Sequence, residues 1–192
     1  MSERRSCKPS FMDMSEKHLP AVAPAEYVNA IAQHVSSVCV ITTELNGERF
    51  GLTATAVSSV SADPPRLLVC VNRSGLTHDK LIESGHFCVN VLTEEQDAVA
   101  MVFAGMGGRD VDRFETGEWI KLRTGSPALV DAAAVFDCRI CETMDQSSHT
   151  VLFGEVVDTR HRVGQDALLY GGRRFRQLRK MFFGSERAEE YL

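Results

Sequence analysis

VCVITTELNGERFGLTATAV, residues 38–57, decides the fold. Val38–Leu45 is β-branched and apolar, Glu48–Val57 forms a second extended run, and Asn46-Gly47 lies between them. A two-residue hairpin needs two central residues that accept positive φ, so this spacing predicts two antiparallel strands. Downstream, Ser58–Asp63 stays extended until Pro64-Pro65, and Arg66–Asn72 then carries LLVCV. An unbroken apolar run is expected where both strand faces are covered, which predicts a central strand.

The rest of the chain repeats this language. A short helix opens at Ser74-Gly75-Leu76-Thr77 and ends near Gly85, and a strand follows over His86–Leu92. Thr93 with Gln96 reads as a capping box that starts a helix through Val99, Val102 and Phe103 and stops at Gly105. GMGGRDVDRFETGEW, residues 105–119, is loop-rich. Ala133–Met144 and Thr150–Arg162 read as two long strands around a polar loop, with a last strand over Ala167–Tyr170. Ahead of them all, Tyr27, Val28, Ile31, Ala32 and Val35 recur at helical spacing after Pro24. Mostly antiparallel strands with a few short helices predict a mainly β barrel or sandwich.

A chain of 192 residues suits one core. We expect one domain over 21–180, flanked by a polar N-terminal tail (1–20) and a C-terminal tail (181–192). The net charge is −5 and the basic residues are scattered, which argues against nucleic acid and anionic membranes as partners. No apolar run approaches the roughly 20 residues of a bilayer span, so a cytoplasmic protein is expected. Most of the six cysteines sit inside apolar runs and read as small buried hydrophobes. Cys138 and Cys141 form a C-x-x-C, but strand alternation sends the two sulfurs to opposite faces, so no metal or redox pair is expected.

Nucleotide signatures of the usual kind are absent. Gly105, Gly107 and Gly108 make no G-x-G-x-x-G, and they follow a helix rather than a strand. The informative stretch is Gly51–Ser61. In an extended chain Thr53, Thr55 and Ser59 face one way and the small Ala54 and Ala56 the other, giving a hydroxyl-bearing wall with little bulk. Such a wall suits a flat ring with a polyol phosphate, and equally an ordinary edge strand. Asn72-Arg73-Ser74 lies where a strand ends and a helix begins, so amides, a hydroxyl and a guanidinium converge on a position that favours phosphate or serves simply as a cap.

GLTATAVSSVSADPPRLLVCVNRSG, FCVNVL, FAGM, DRF, SSHTVLFGEV and LLYGGRRFRQL, collinear over Tyr27–Leu178, closely resemble the short-chain flavin reductases. Within these the chain is most similar to the reductase component of 4-hydroxyphenylacetate monooxygenase and its pyrimidine-utilisation relatives. The resemblance implies an FMN-binding split β-barrel, antiparallel and Greek-key, assembled as a homodimer with flavin near the subunit interface. It implies FMN or FAD reduced by NADH or NADPH, with reduced flavin supplied to a partner monooxygenase. Alternative acceptors are a small molecule such as a cob(II)alamin-type corrinoid, or none beyond one equivalent, as in a non-catalytic electron carrier. A pyridoxamine-phosphate-oxidase-like enzyme would share the fold, but the motif order fits flavin reductases better.

Carried over by position, Thr53, Ala54, Thr55 and Ala56 border the ribityl chain and ring, with Ser59, Val60 and Ser61 along the same wall. Asn72, Arg73, Ser74 and Thr77 serve the phosphate end. Asn90 and the turn Phe103-Ala104-Gly105 come close to the flavin. His149 matches the histidine of the family's Gly-Asp-His or Gly-Thr-His loop, which faces the nicotinamide; this chain has Ser147-Ser148 before it. Tyr170, Arg173 and Arg174 match the segment that helps hold the dinucleotide.

Overall fold

A computed structural model describes residues 20–108 and 111–179. Apart from Pro20, the tails expected at 1–20 and 181–192 lie outside the described residues. The elements are α1 (Pro24–Ile31), β1 (Ser36–Ser37), β2 (Cys39–Leu45), β3 (Glu48–Ala54), β4 (Val57–Ala62), β5 (Pro65–Asn72), α2 (His78–Ser84), β6 (His86–Val91), α3 (Asp97–Phe103), β7 (Trp119–Lys121), β8 (Pro127–Leu129), β9 (Ala134–Gln146), β10 (His149–His161), β11 (Leu169–Gly171) and β12 (Arg174–Arg176).

The expected hairpin forms between β2 and β3, with Asn46 at φ 53° and Gly47 at φ 85°, so Leu45 faces Glu48 across a tight turn. Seven strands make one antiparallel sheet in the order β3-β2-β6-β9-β10-β5-β4. Its two edges, β3 and β4, are consecutive in the chain and separated only by Thr55 and Ala56. A two-residue link between opposite edges forces the sheet to curl back on itself, which makes it a barrel. β11 pairs with β1 and β12, and β7 with β8, in two smaller sheets.

Two apolar clusters explain the curl. Cys39, Ile41, Leu67, Val69, Phe87, Val89 and Leu152 form one, while Val38, Val40, Cys88, Leu92 and Phe103 belong to the other. Alternate residues of β2 feed opposite clusters, so the strand covered on both faces is β2 rather than β5. In β5 only Leu67, Val69 and Val71 are buried, and β5 stands next to the edge. Its second apolar face is the first sign of a site. Tight packing also fixes β10: a Cβ on Gly154 would stand 2.5 Å from the Phe87 ring and 2.9 Å from Cys138 Cβ, so only glycine fits there unstrained.

Two other expectations change. The helix expected from Thr93 begins at Asp97; Gln96 Oε1 accepts from the Thr93 amide, which is half of a capping box. α1 forms as its periodicity predicts, yet it has no buried residue, and Tyr27, Val28 and Ile31 stay about half exposed.

Candidate functional site

Directly paired residues of antiparallel strands share a face. On β5 the face away from the core carries Leu68, Cys70 and Asn72, and β10 sets Phe153, Val151 and His149 opposite them. On the other side Ser58 of β4 faces Leu68. These residues form a half-exposed platform, apolar along Leu68, Cys70, Val151 and Phe153 and polar where Asn72 meets His149.

A cleft of about 700 Å³ stands on this platform. Its floor is Leu68 and Cys70, one side is the corner Thr55–Ser58, and the other is α1 with Tyr170 and Arg173. The corner exists because the chain leaves β3 at Ala54 and enters β4 at Val57; the Cys70 amide donates to Ala56 O at 3.0 Å and seats it against β5. Arg173 sits at φ 62° in the β11–β12 turn, and its Nη2 donates to Asn29 Oδ1 on α1 at 2.9 Å. That contact places a guanidinium at the cleft wall.

The polar end is built from two loops tied together. Asn72 Oδ1 accepts from the Ser74 amide at 3.0 Å and from Ser74 Oγ at 2.9 Å, closing an Asx turn. The Arg73 amide donates to Ser148 O at 3.0 Å, and Arg73 Nη2 lies 3.8 Å from Asp145 Oδ2. His149 is exposed, with Nδ1 2.9 Å from Ser148 Oγ. A second cavity, about 580 Å³, opens between these loops, lined by Asn72, Arg73, Ser74, His78, Asp79, Ser147 and Ser148.

Thus the structure gathers Thr55, Ala56, Tyr170 and Arg173 around the cleft, and Asn72, Arg73, Ser74 and His149 at its polar end. Other expected residues lie elsewhere. Thr53 does not share a face with Thr55, because alternation breaks at the corner; its hydroxyl donates to Ala100 O on α3 at 2.7 Å, and Ala54 packs on the core. Ser59, Val60 and Ser61 run along the edge strand β4 across a register shift between Ser59 and Ser61, with Ser61 Oγ donating to Pro64 O. The buried Thr77 hydroxyl donates to Gly51 O.

Asn90 is fully buried: Nδ2 donates to Val40 O at 3.0 Å and Oδ1 accepts the Leu129 amide at 2.7 Å. Phe103 is buried in edge-to-face contact with Phe114, and Ala104 and Gly105 follow it on the surface. Arg174 is exposed at the start of β12 and does not line the cleft. Conversely, Ser58, Leu68, Cys70, Tyr27 and Val28 line the cleft and were not singled out as site residues. The doubly apolar LLVCV run and the helical stripe of α1 were their signals.

Three buried thiols are held away from their reactive form. Burial raises Cys39 to about 11 and Cys138 to about 12, and pushes Cys88 well above the ordinary range. Cys138 is buried and Cys141 exposed, so the C-x-x-C does not converge. Among the described residues no group of three His, Cys, Asp or Glu side chains stands ready for a metal, and no helix is long and apolar enough to cross a membrane.

Residues 31–179 match the flavin reductase like domain. The chain is 41% identical over 160 residues to the FMN reductase (NADH) RutF of Pseudomonas syringae pv. syringae (strain B728a), covering 83% of this chain and 89% of that protein. It superposes with a TM-score of 0.75 and 30% identity on the NADH:FAD oxidoreductase SgcE6 of Streptomyces globisporus in complex with NAD and FAD fragments, covering 84% of this chain and 98% of that one. With BorF, the flavin reductase component of a bacterial two-component tryptophan halogenase, the TM-score is 0.74 at 31% identity, over 82% and 99% of the two chains.

Proposed function

The chain belongs to the flavin reductase like domain family, and from that premise we propose that it is an NADH-dependent flavin reductase that binds FMN in the α1–β5 cleft and supplies reduced flavin to a partner oxygenase. The observation that carries the placement is the open apolar face of β5. A strand apolar on both sides needs cover on both, and here the core covers only one.

The residues fit such a ligand. A volume of about 700 Å³ lies within the usual range for ligand pockets of roughly 300–1,000 Å³. Leu68 and Cys70 offer a flat apolar floor, Ala56 lets a ring approach the backbone, and Thr55 and Ser58 supply hydroxyls. Arg173 at the wall and Arg73 with Ser74 at the polar end are the groups suited to phosphate. When bound, the flavin supplies hydride acceptance and the onward release of electrons. The chain's own task is placement: Leu68 and Cys70 hold one face of the ring, and His149, at the polar end of the same platform, holds the nicotinamide amide with neighbouring backbone groups. No side chain serves as acid or base.

The half-exposed face of α1 and the platform residues Val151 and Phe153 are apolar surfaces that suit a second copy of the chain. We therefore read the assembly as a homodimer with the cleft at its interface. The partner reading is supported by BorF serving a two-component system. Steady-state kinetics test the activity: purified protein should oxidise NADH continuously in proportion to added FMN. Consumption that stops at one equivalent, or that ignores added flavin, would reject a flavin reductase in favour of an electron carrier.

A further inference from the structure

His78 opens α2, and only 12% of its side chain is exposed. Nε2 lies 2.9 Å from Thr150 Oγ1, and Nδ1 lies 2.7 Å from Asp79 Oδ1. Thr150 Oγ1 in turn donates to Asp145 Oδ1 at 2.7 Å. A hydroxyl has a single proton, and an ionised carboxylate can only accept. With the Thr150 proton committed to Asp145, the Nε2 contact requires the ring to donate, and Nδ1 faces the exposed Asp79 carboxylate.

This side chain joins two elements. Thr150 is buried and His149, its neighbour on β10, is exposed; consecutive strand residues point to opposite faces, so gripping Thr150 from below fixes where His149 stands above. Asp145 belongs to β9, on the other side of the same hairpin. The charged groups around the ring are Asp79 from its own helix and Asp145 through Thr150, and Arg73 pairs with Asp145 from the β5–α2 loop. The arrangement is a clamp between α2 and the β9–β10 hairpin.

We propose that His78 is a positioning residue: donating from Nε2 to Thr150, it pins the hairpin to α2 and thereby holds His149 opposite Asn72 at the end of the cleft. The proposal rests on the reading of His149 as the nicotinamide-facing group. It differs from that reading in assigning a role that His78 exerts through Thr150 rather than on the nicotinamide.

The test uses the full chain. Ring ¹⁵N spectra at pH 7, assigned with His78→Gln, should show a proton on His78 Nε2. His78→Ala should raise the KM for NADH by about fivefold or more while the Kd for FMN stays within about twofold, and should add little in a His149→Ala background. His78→Gln keeps a donor for Thr150 and should recover most of the loss. A ring with no proton on Nε2, a weakened FMN affinity in place of a raised KM, or full additivity with His149→Ala overturns the proposal. If His149→Ala alone leaves the KM unchanged, the nicotinamide reading falls. Amide exchange over Ser147–Thr150 then decides the clamp: faster exchange in His78→Ala establishes it, and unchanged exchange removes it.

Discussion

Replacing Asn90 with alanine separates a structural role from a ligand-binding one. In the barrel the Asn90 carboxamide accepts the Leu129 amide at 2.7 Å and donates to Val40 O at 3.0 Å and Thr42 Oγ1 at 3.3 Å. All of these partners are buried. Truncation strands the Leu129 N–H without water, at about 1–3 kcal/mol, and opens a small void that adds roughly 1 kcal/mol. A total of about 2–4 kcal/mol corresponds to a Tm lower by about 5–15 °C for a domain of this size. Thermal unfolding followed by circular dichroism reads the shift, and FMN titration below the transition reads the site. The variant should lose stability and keep its FMN Kd within about twofold. An unchanged Tm with a Kd raised tenfold would refute the assignment of Asn90 to the core and return it to the flavin.

Other substitutions test other parts of the account. Gly154→Ala forces a methyl against Phe87 and Cys138 and should cost about 1–3 kcal/mol in denaturant unfolding; a neutral result would show that the barrel gives way there. Ile31→Glu places a charge on the half-exposed face of α1 and should shift light scattering from dimer to monomer without unfolding the chain. Native protein treated with a thiol reagent at pH 8 should modify the exposed Cys141, whereas the buried thiols of Cys39 and Cys138, raised to about 11 and about 12, react only after denaturation. Burial lowers the folded-state pKa of His86 against the opposing carboxylates of Asp137 and Glu44. Its neutral form therefore favours folding above the unfolded value of about 6.5, and this contribution is lost as pH falls below it. Urea midpoints between pH 7.5 and 5 should fall less in His86→Gln than in the parent chain.

The barrel was legible because its turn chemistry is local. Asn46-Gly47 and the two long strands after Ala133 need only neighbours to declare themselves, and they appear within one or two residues of their expected bounds. The site was legible in parts for the same reason. Asn72-Arg73-Ser74 is a local turn, and its meeting with His149 follows once β5 pairs with β10. Alternation failed as a guide at Thr55–Ala56, because a corner between opposite sheet edges resets the faces, so Thr53 went to α3 and Thr55 to the cleft. Asn90 was expected near the flavin, and its carboxamide instead meets the Val40 carbonyl and the Leu129 amide; a buried amide in an apolar strand looks the same in sequence whether it serves a ligand or a neighbouring loop. The apolar face of β5 was visible as LLVCV, but which strand the core covers on both sides depends on sheet order, which no local pattern contains.

The most direct measurement is the crystal structure of the chain soaked or grown with FMN. The account predicts density for the ring system over Leu68 and Cys70, bordered by Thr55 and Ala56, with one face open toward His149. Density for the ring in another cavity, such as the one beside Arg49, Lys80 and Arg113, with the Leu68–Cys70 floor covered by protein side chains alone, would contradict it.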